Sequence, residues 1–206
     1  MVKLKVCGMK YPDNINAVNE LHPDYMGFIF YENSPRFFEG LIPELAKSVQ
    51  KVGVFVNSSI ENVANMVMKH NLEVIQLHGE ESVAYCQKLL ITLKDKNCKL
   101  IKVFSVGNRF DFDLLTPYEQ IIDYFLFDTK GENHGGNGIP FDWEILKNYP
   151  SQKPFFLSGG ISLDNLKKIK TLDLPIYAID VNSQFEIEKG LKNITLLKQL
   201  QNEISS

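Results

Sequence analysis

Short runs rich in β-branched and aromatic residues recur along the chain, each followed by a stretch whose apolar positions are spaced for a helix. That alternation is the mark of βα units around a parallel sheet. It predicts eight strands: Leu4–Cys7, Tyr25–Phe30, Lys51–Val56, Glu73–Leu77, Lys99–Phe104, Tyr124–Phe127, Pro154–Leu157 and Ile176–Asp180. Amphipathic helices are predicted at Ile60–Lys69, where Ile60, Val63, Ala64 and Val67 share a face, and at Val83–Ile91. Pro117 interrupts Phe110–Tyr118, so a short or broken helix is expected there. Asp142-Trp143-Glu144, after Pro140, opens another helix with acidic residues where the dipole favours them, and Asn193–Leu200 closes the chain. Eight such units point to the α/β class and a single (βα)8 barrel over residues 1–206, whereas an open doubly wound sheet usually has about five or six strands.

Composition narrows the function without choosing it. A length of 206 residues suits one domain, and 44% hydrophobic with 23% charged residues excludes disordered and fibrous classes. A net charge of -3 gives no global attraction to nucleic acid or anionic membranes, so an anionic ligand must be held by a local site. No apolar run approaches the roughly 18 residues of a membrane span, and Met1–Val6 is too short and alternating for a signal peptide. The expectation is a cytoplasmic protein with no membrane or nucleic-acid partner. Cys7, Cys86 and Cys98 lack metal or disulfide spacing, so no metal site is expected.

In barrels of this kind, chemistry sits where strands end and βα loops begin. The first strand ends in Val6-Cys7-Gly8, and period-2 alternation puts Lys3, Lys5 and Cys7 on one face. Cys7 is either an inert core thiol or a base whose thiolate a neighbouring lysine favours; Lys5 either does that or pairs with an interior carboxylate such as Asp180. The sixth strand runs into Asp128, either a cap for the following turn or a carboxyl kept protonated by partial burial and able to act as a general acid. Beyond it Gly131–Gly138 carries four glycines and reads as a lid or a plain surface loop.

Ser158-Gly159-Gly160 after the seventh strand, with a helix start behind it, makes an anion site that Asp180-Val181-Asn182-Ser183 after the eighth strand would complete. Phosphate sites in these barrels are frequently built from those two loops. Arg36 suits a carboxylate, or is a solvated charge. His78 shares a face with Gln76 and lines the pocket, or is a structural histidine.

Together, Lys5-Val6-Cys7-Gly8, Gly27-Phe28-Ile29-Phe30 with Ser34-Pro35-Arg36, Val52–Asn57, Gln76–Glu80, Phe127-Asp128-Thr129, Gly135–Gly138 with Phe141-Asp142-Trp143, and Leu157–Gly160 resemble the phosphoribosylanthranilate isomerase family of tryptophan biosynthesis nearly end to end. The resemblance implies a cofactor-free Amadori rearrangement of a phosphorylated small molecule, with Cys7 as base and Asp128 as acid. It further implies that Arg36 holds the anthranilate carboxylate, that Asp180 stands near the substrate amine, and that Gly159, Gly160, Asn182 and Ser183 cradle the phosphate. The family usually has glycine after its strand-eight Asp-Val-Asn/Ser-Ser and then Pro-Gly-Lys-Lys-Asp; here stand Gln184 and Glu188–Asn193, so a reshaped phosphate loop is expected, with Asn193 still able to cap the last helix. A homodimer is left open.

Two rival readings remain. Indole-glycerol-phosphate synthases and sugar-phosphate epimerases use a lysine/glutamate pair or metal-bound histidines, neither evident at these strand ends. A noncatalytic barrel that binds a phosphorylated metabolite and regulates a partner would not need both Cys7 and Asp128.

Overall fold

A computed structural model of the chain describes residues 2–129 and 141–205; the glycine-rich run Gly131–Gly138 lies outside the described residues. Eight parallel strands close into a barrel: β1 (Lys3–Cys7), β2 (Tyr25–Ile29), β3 (Gln50–Phe55), β4 (Val74–Leu77), β5 (Lys99–Val106), β6 (Tyr124–Thr129), β7 (Phe155–Leu157) and β8 (Ile176–Val181). Every predicted strand is present, with ends moved by two residues at most. Buried on both faces, these strands carry near-continuous apolar runs, the pattern parallel sheets require. Pairing of β1 with β8 closes the ring and sets Lys5 beside Asp180; pairing of β1 with β2 sets Cys7 beside Gly27.

The crossovers differ more from expectation. Helix α2 (Ile60–His70), which follows α1 (Pro12–Asn19), starts where the Ser59 side chain accepts from Asn62 N and ends at Asn71, whose φ of 50° is left-handed. Helix α3 (Val83–Thr92) is capped by Ser82 in the same way. After β2 there is no helix: Pro35, Gly40 and Pro43 punctuate the segment, and it crosses as a loop pinned by Phe38 N donating to Ile29 O and by the rings of Phe28, Phe30 and Phe38. The helix expected after Asp142 is a short 3₁₀ segment, Trp143–Asn148, stopped because Pro150 disfavours helical backbone at Tyr149. Phe112–Tyr118, containing Pro117, is also 3₁₀, the broken helix anticipated there. A 3₁₀ turn, Leu163–Asn165, leads into α4 (Leu166–Lys170), and α5 (Ile194–Ser205) begins where Asn193 Oδ1 accepts from Leu196 N.

An antiparallel hairpin that the residue pattern did not announce, β9 (Glu186–Glu188) with β10 (Leu191–Lys192), lies between β8 and α5. The larger core fills the space between the outer face of the barrel and the crossovers; a second cluster, including Val52, Val74, Ile101, Leu126, Phe156 and Ala178, fills the barrel itself. No helix among the described residues is long and apolar enough to cross a membrane.

Candidate active site

The strand ends carry the chemistry. Cys7 ends β1 with its side chain inside the barrel and 5% exposed. Its partner across the sheet has to be glycine, because a Cβ on Gly27 would lie 2.8 Å from Cys7 Sγ. The next residue, Gly8, turns at φ +76°, and a Cβ there would strike both Arg36 Cδ and Asn182 Oδ1 at 2.8 Å. Arg36 and Asn182 therefore pack against the peptide that follows the thiol.

Lys5, on the same face as Cys7, is fully buried and pairs with Asp180 Oδ2 at 2.8 Å. It also acts on the thiol in the expected direction, so both sequence readings of Lys5 hold together, but its pull does not decide the net shift. Burial pushes the Cys7 thiol above its ordinary value, and the pull of Lys5 and Lys192 toward thiolate is outweighed by burial together with Asp180. Burial likewise pushes the Asp180 carboxyl up against the pull of Lys5, and its Oδ1 has no hydrogen-bond partner among the described residues.

Asp128, on β6, is 5% exposed. Burial pushes its carboxyl up to about 6; the Thr129 N–H, which donates to Oδ1 at 2.9 Å, and the Ser158 hydroxyl oppose the rise, while Asp180 adds to it. Asp128 thus holds a carboxyl suited to proton donation, and the turn it was expected to cap lies outside the described residues. His78 Nε2 stands 3.5 Å from Asp128 Oδ2, and its Nδ1 lies 3.3 Å from the Gln76 amide nitrogen. With that amide donating, Nδ1 accepts and the Nε2–H faces the carboxylate.

Arg36 is not a solvated charge. It is 7% exposed and clamped by Glu186, with Nε donating to both carboxylate oxygens at 2.9 and 3.1 Å and Nη2 donating to Oε2 at 2.7 Å. Lys192 Nζ joins Glu186 Oε1 at 2.6 Å and Asn182 Oδ1 at 2.7 Å. Burial brings the Lys192 amine down to about 8 even though Glu186 raises it; on Glu186, burial is outweighed by Arg36 and Lys192, and the carboxyl lies below its ordinary value. Neither Glu186 nor Lys192 stood out in the sequence, where Glu188–Asn193 marked only a departure from the family pattern. Their hairpin brings them to the mouth.

Gly159 and Gly160 both have positive φ, +86° and +66°. A Cβ on Gly159 would run into Thr129 Oγ1, so glycine is what lets this loop cross β6. The two glycines, Asn182 and Ser183 line a recess of about 20 Å³ that adjoins the larger cavity and shares Asp128, Ser158 and Asp180 with it. Behind Gly160 lies a 3₁₀ turn rather than a long helix. Gln184 sits in the 3₁₀ turn Ser183–Phe185 and is not among the residues with positive φ, so glycine's freedom is not used at this position.

Cys7, Asp128, His78, Arg36, Asp180 and Asn182 all line one cavity of about 710 Å³, within the usual size of small-molecule sites. All nine sequence-derived site residues thus come together at the C-terminal face of the barrel. Among the described residues, no group of three or more His, Cys, Asp or Glu side chains is gathered as a metal site.

This arrangement has clear relatives. Solved structures with the same fold include a phosphoribosyl anthranilate isomerase from Thermotoga maritima, TM-score 0.85 and 29% identity over the whole of both chains. Another, with TM-score 0.81 and 28% identity over the whole of both chains, is a phosphoribosyl anthranilate isomerase in complex with reduced 1-(o-carboxyphenylamino)-1-deoxyribulose 5-phosphate. An N-(5'-phosphoribosyl)anthranilate isomerase of Parabacteroides distasonis is 44% identical over 98% of this chain and 92% of its own length. The family model for N-(5'phosphoribosyl)anthranilate (PRA) isomerase matches residues 4–203, and with the thiol and the carboxyl at the ends of the first and sixth barrel strands the chain belongs to that family.

Proposed function

We propose that this chain converts N-(5'-phosphoribosyl)anthranilate into 1-(2-carboxyphenylamino)-1-deoxyribulose 5-phosphate, an isomerisation in tryptophan biosynthesis, with Asp128 as acid and Cys7 as base. The observation that carries the assignment of roles is that a thiol and a carboxyl raised to about 6 line one cavity from two strand ends of the barrel. Asp128 gives its proton to the ribose ring oxygen, the C1–O bond breaks, and the amine lone pair forms the C1=N iminium. Cys7 thiolate then removes the C2 proton, and those electrons form the C1=C2 enolamine while neutralising the nitrogen. Protonation at C1 and loss of the O2 proton give the ketone.

The iminium also answers the high pKa of the thiol, because a cation formed beside Cys7 favours the thiolate when it is needed. Asp180, paired with Lys5, stands where it faces that nitrogen. Arg36 takes the anthranilate carboxylate through Nη1, which donates no hydrogen bond among the described residues while Nε and Nη2 hold Glu186. His78, with its Nε2–H toward Asp128, lines the substrate cavity. The phosphate is received at Gly159, Gly160, Asn182 and Ser183, where the positive-φ glycines expose backbone N–H groups.

We read the enzyme as one cytoplasmic domain that needs neither nucleic acid nor membrane; its net charge of -3 supports this. A homodimer fits the reading, since a Thermotoga maritima isomerase is described as dimeric. The test follows the loss of phosphoribosylanthranilate fluorescence beside folded Cys7→Ala and Asp128→Ala variants. Each substitution lowers kcat by at least about a hundredfold; turnover indifferent to both overturns the roles.

A further inference from the structure

Three charged side chains meet where the loop after β2 touches the hairpin: Arg36, Glu186 and Lys192, each less than a tenth exposed. Two cations share one carboxylate, so the cluster carries a net positive charge at the edge of the cavity. A purely structural ion pair would balance, since an uncompensated buried charge costs stability. The surplus cation is set for an anionic group of the ligand. Glu186 uses both oxygens: Oε2 takes the Nε and Nη2 edge of Arg36, and Oε1 takes Arg36 Nε, Lys192 Nζ and Gly190 N. Lys192 is itself fixed, because Asn14 on α1 accepts from its N–H at 2.7 Å and donates to its carbonyl at 2.9 Å. Its Nζ reaches on to Asn182, which faces both the main cavity and the glycine recess. An unbroken chain of charge-assisted hydrogen bonds therefore runs from Arg36 to the loop after β8.

We propose that Glu186 is a positioning and specificity-determining residue for the isomerisation: it turns Arg36 so that the guanidinium edge it leaves free meets the substrate carboxylate and, through Lys192, fixes that point relative to the loop that receives the phosphate. This rests on the reading of Arg36 as the carboxylate ligand. The hairpin acts as a ruler between the two anionic ends of the substrate, and the distance it sets places C1 and C2 between Asp128 and Cys7. Released from Glu186, Arg36 still attracts a carboxylate but holds it in more than one position. The loss then falls on kcat rather than on KM, and only for a substrate that has the carboxylate.

The experiment compares phosphoribosylanthranilate with the adduct of aniline and ribose 5-phosphate, which lacks the carboxylate, in wild type, Glu186→Gln, Glu186→Asp and Arg36→Met. Products are separated by chromatography and folding is checked by thermal melting. In Glu186→Gln the ratio of kcat values, phosphoribosylanthranilate over the aniline adduct, falls by at least about tenfold, with no matching rise in KM. Glu186→Asp pulls the carboxylate back by one methylene and lowers the ratio by a smaller factor; it carries the test if the neutral variant does not fold. Equal losses on both substrates, or an unchanged ratio, mean that Glu186 only supports the fold, and overturn the proposal. A wild type that does not distinguish the two substrates, with Arg36→Met equally indifferent, refutes the carboxylate reading of Arg36 and the proposal with it.

Discussion

With Asp128 as the proposed acid and Cys7 as the proposed base, the acid has the lower pKa of the two, and the consequence can be measured. Asp128 is held at about 6, and burial keeps Cys7 above its ordinary value. The reactive form has the proton on Asp128 and none on Cys7, which is the less populated arrangement. Taking even an unshifted thiol at about 8.5, the gap from Asp128 is about 2.5 units, so at most about one molecule in 300 is correctly protonated at neutral pH. That is about 3 kcal/mol of barrier before substrate binds, and the upward push on Cys7 widens it. The fraction is constant between the two pKa values, since each unit of pH takes a proton from one group as fast as it readies the other. The rate therefore rises up to about pH 6, runs flat, and falls only where the thiol ionises. Thiolate ultraviolet absorbance, wild type minus Cys7→Ala, tracks the base directly and stays near zero at pH 7. Full thiolate absorbance at pH 7, with a rate that falls tenfold per unit above 6, would refute the reasoning.

Two further outcomes follow from the same contacts. Asp128 is at about 6 when folded and about 3.9 unfolded, so its ionised form is penalised by folding: the penalty is absent below pH 4, grows between 4 and 6, and is then constant at up to about 3 kcal/mol. Asp128→Asn removes it, so this inactive variant melts several degrees higher than wild type at pH 8 and loses its advantage by pH 4; a variant no more stable at pH 8 contradicts the assignment. In Gly27→Ala the new Cβ lies 2.8 Å from Cys7 Sγ, and the displaced thiol lowers kcat by about a hundredfold while circular dichroism reports an intact barrel; unchanged kcat would show that the thiol has room to move.

The barrel was legible because its strands are buried on both faces: runs such as Val52-Gly53-Val54-Phe55 read as strand without help from partners. The residues at their ends were legible because chemistry in a barrel follows the strand cores: alternation put Cys7 on the face of Lys5 and His78 on that of Gln76, Asp128 follows an apolar run, and the family resemblance supplied its role. The segment after β2 was misjudged because its fold is held by Phe28, Phe30 and Phe38 meeting across the loop, and by Ile29 pairing with Phe37, none of which has a local period. The hairpin was invisible because Glu186-Ile187-Glu188-Lys189-Gly190-Leu191-Lys192 reads as solvated chain. Only the arrival of Arg36 and Asn14 from distant parts of the chain explains why Glu186 and Lys192 are buried. Lys5 was placed on the correct face and its pull on Cys7 has the expected sign, but the net shift of the thiol is upward because burial, which cannot be weighed from sequence, outweighs that pull.

That burial has its own origin lower in the barrel. Beneath the reacting groups the interior is filled by Val52, Val74, Ile101, Leu126, Phe156 and Ala178, and its lower end is closed by Tyr25, Tyr124 and Tyr177. Tyr124 and Tyr177 stack at 4.6 Å, Tyr25 and Tyr177 share a hydroxyl contact at 3.1 Å, and Lys3 lies 5.0 Å over the Tyr177 ring. Above this plug Lys5, Asp180, Cys7 and Asp128 are all buried, so they exchange hydration for one another. In so dry an interior the Lys5–Asp180 pair is held together strongly, and the same dryness lifts Cys7 and Asp128 toward their neutral forms. On the proposed roles, burial by apolar residues that touch no substrate is the largest influence on the protonation of Cys7 and Asp128, and a polar substitution in the plug would move the pH profile before it moved the geometry.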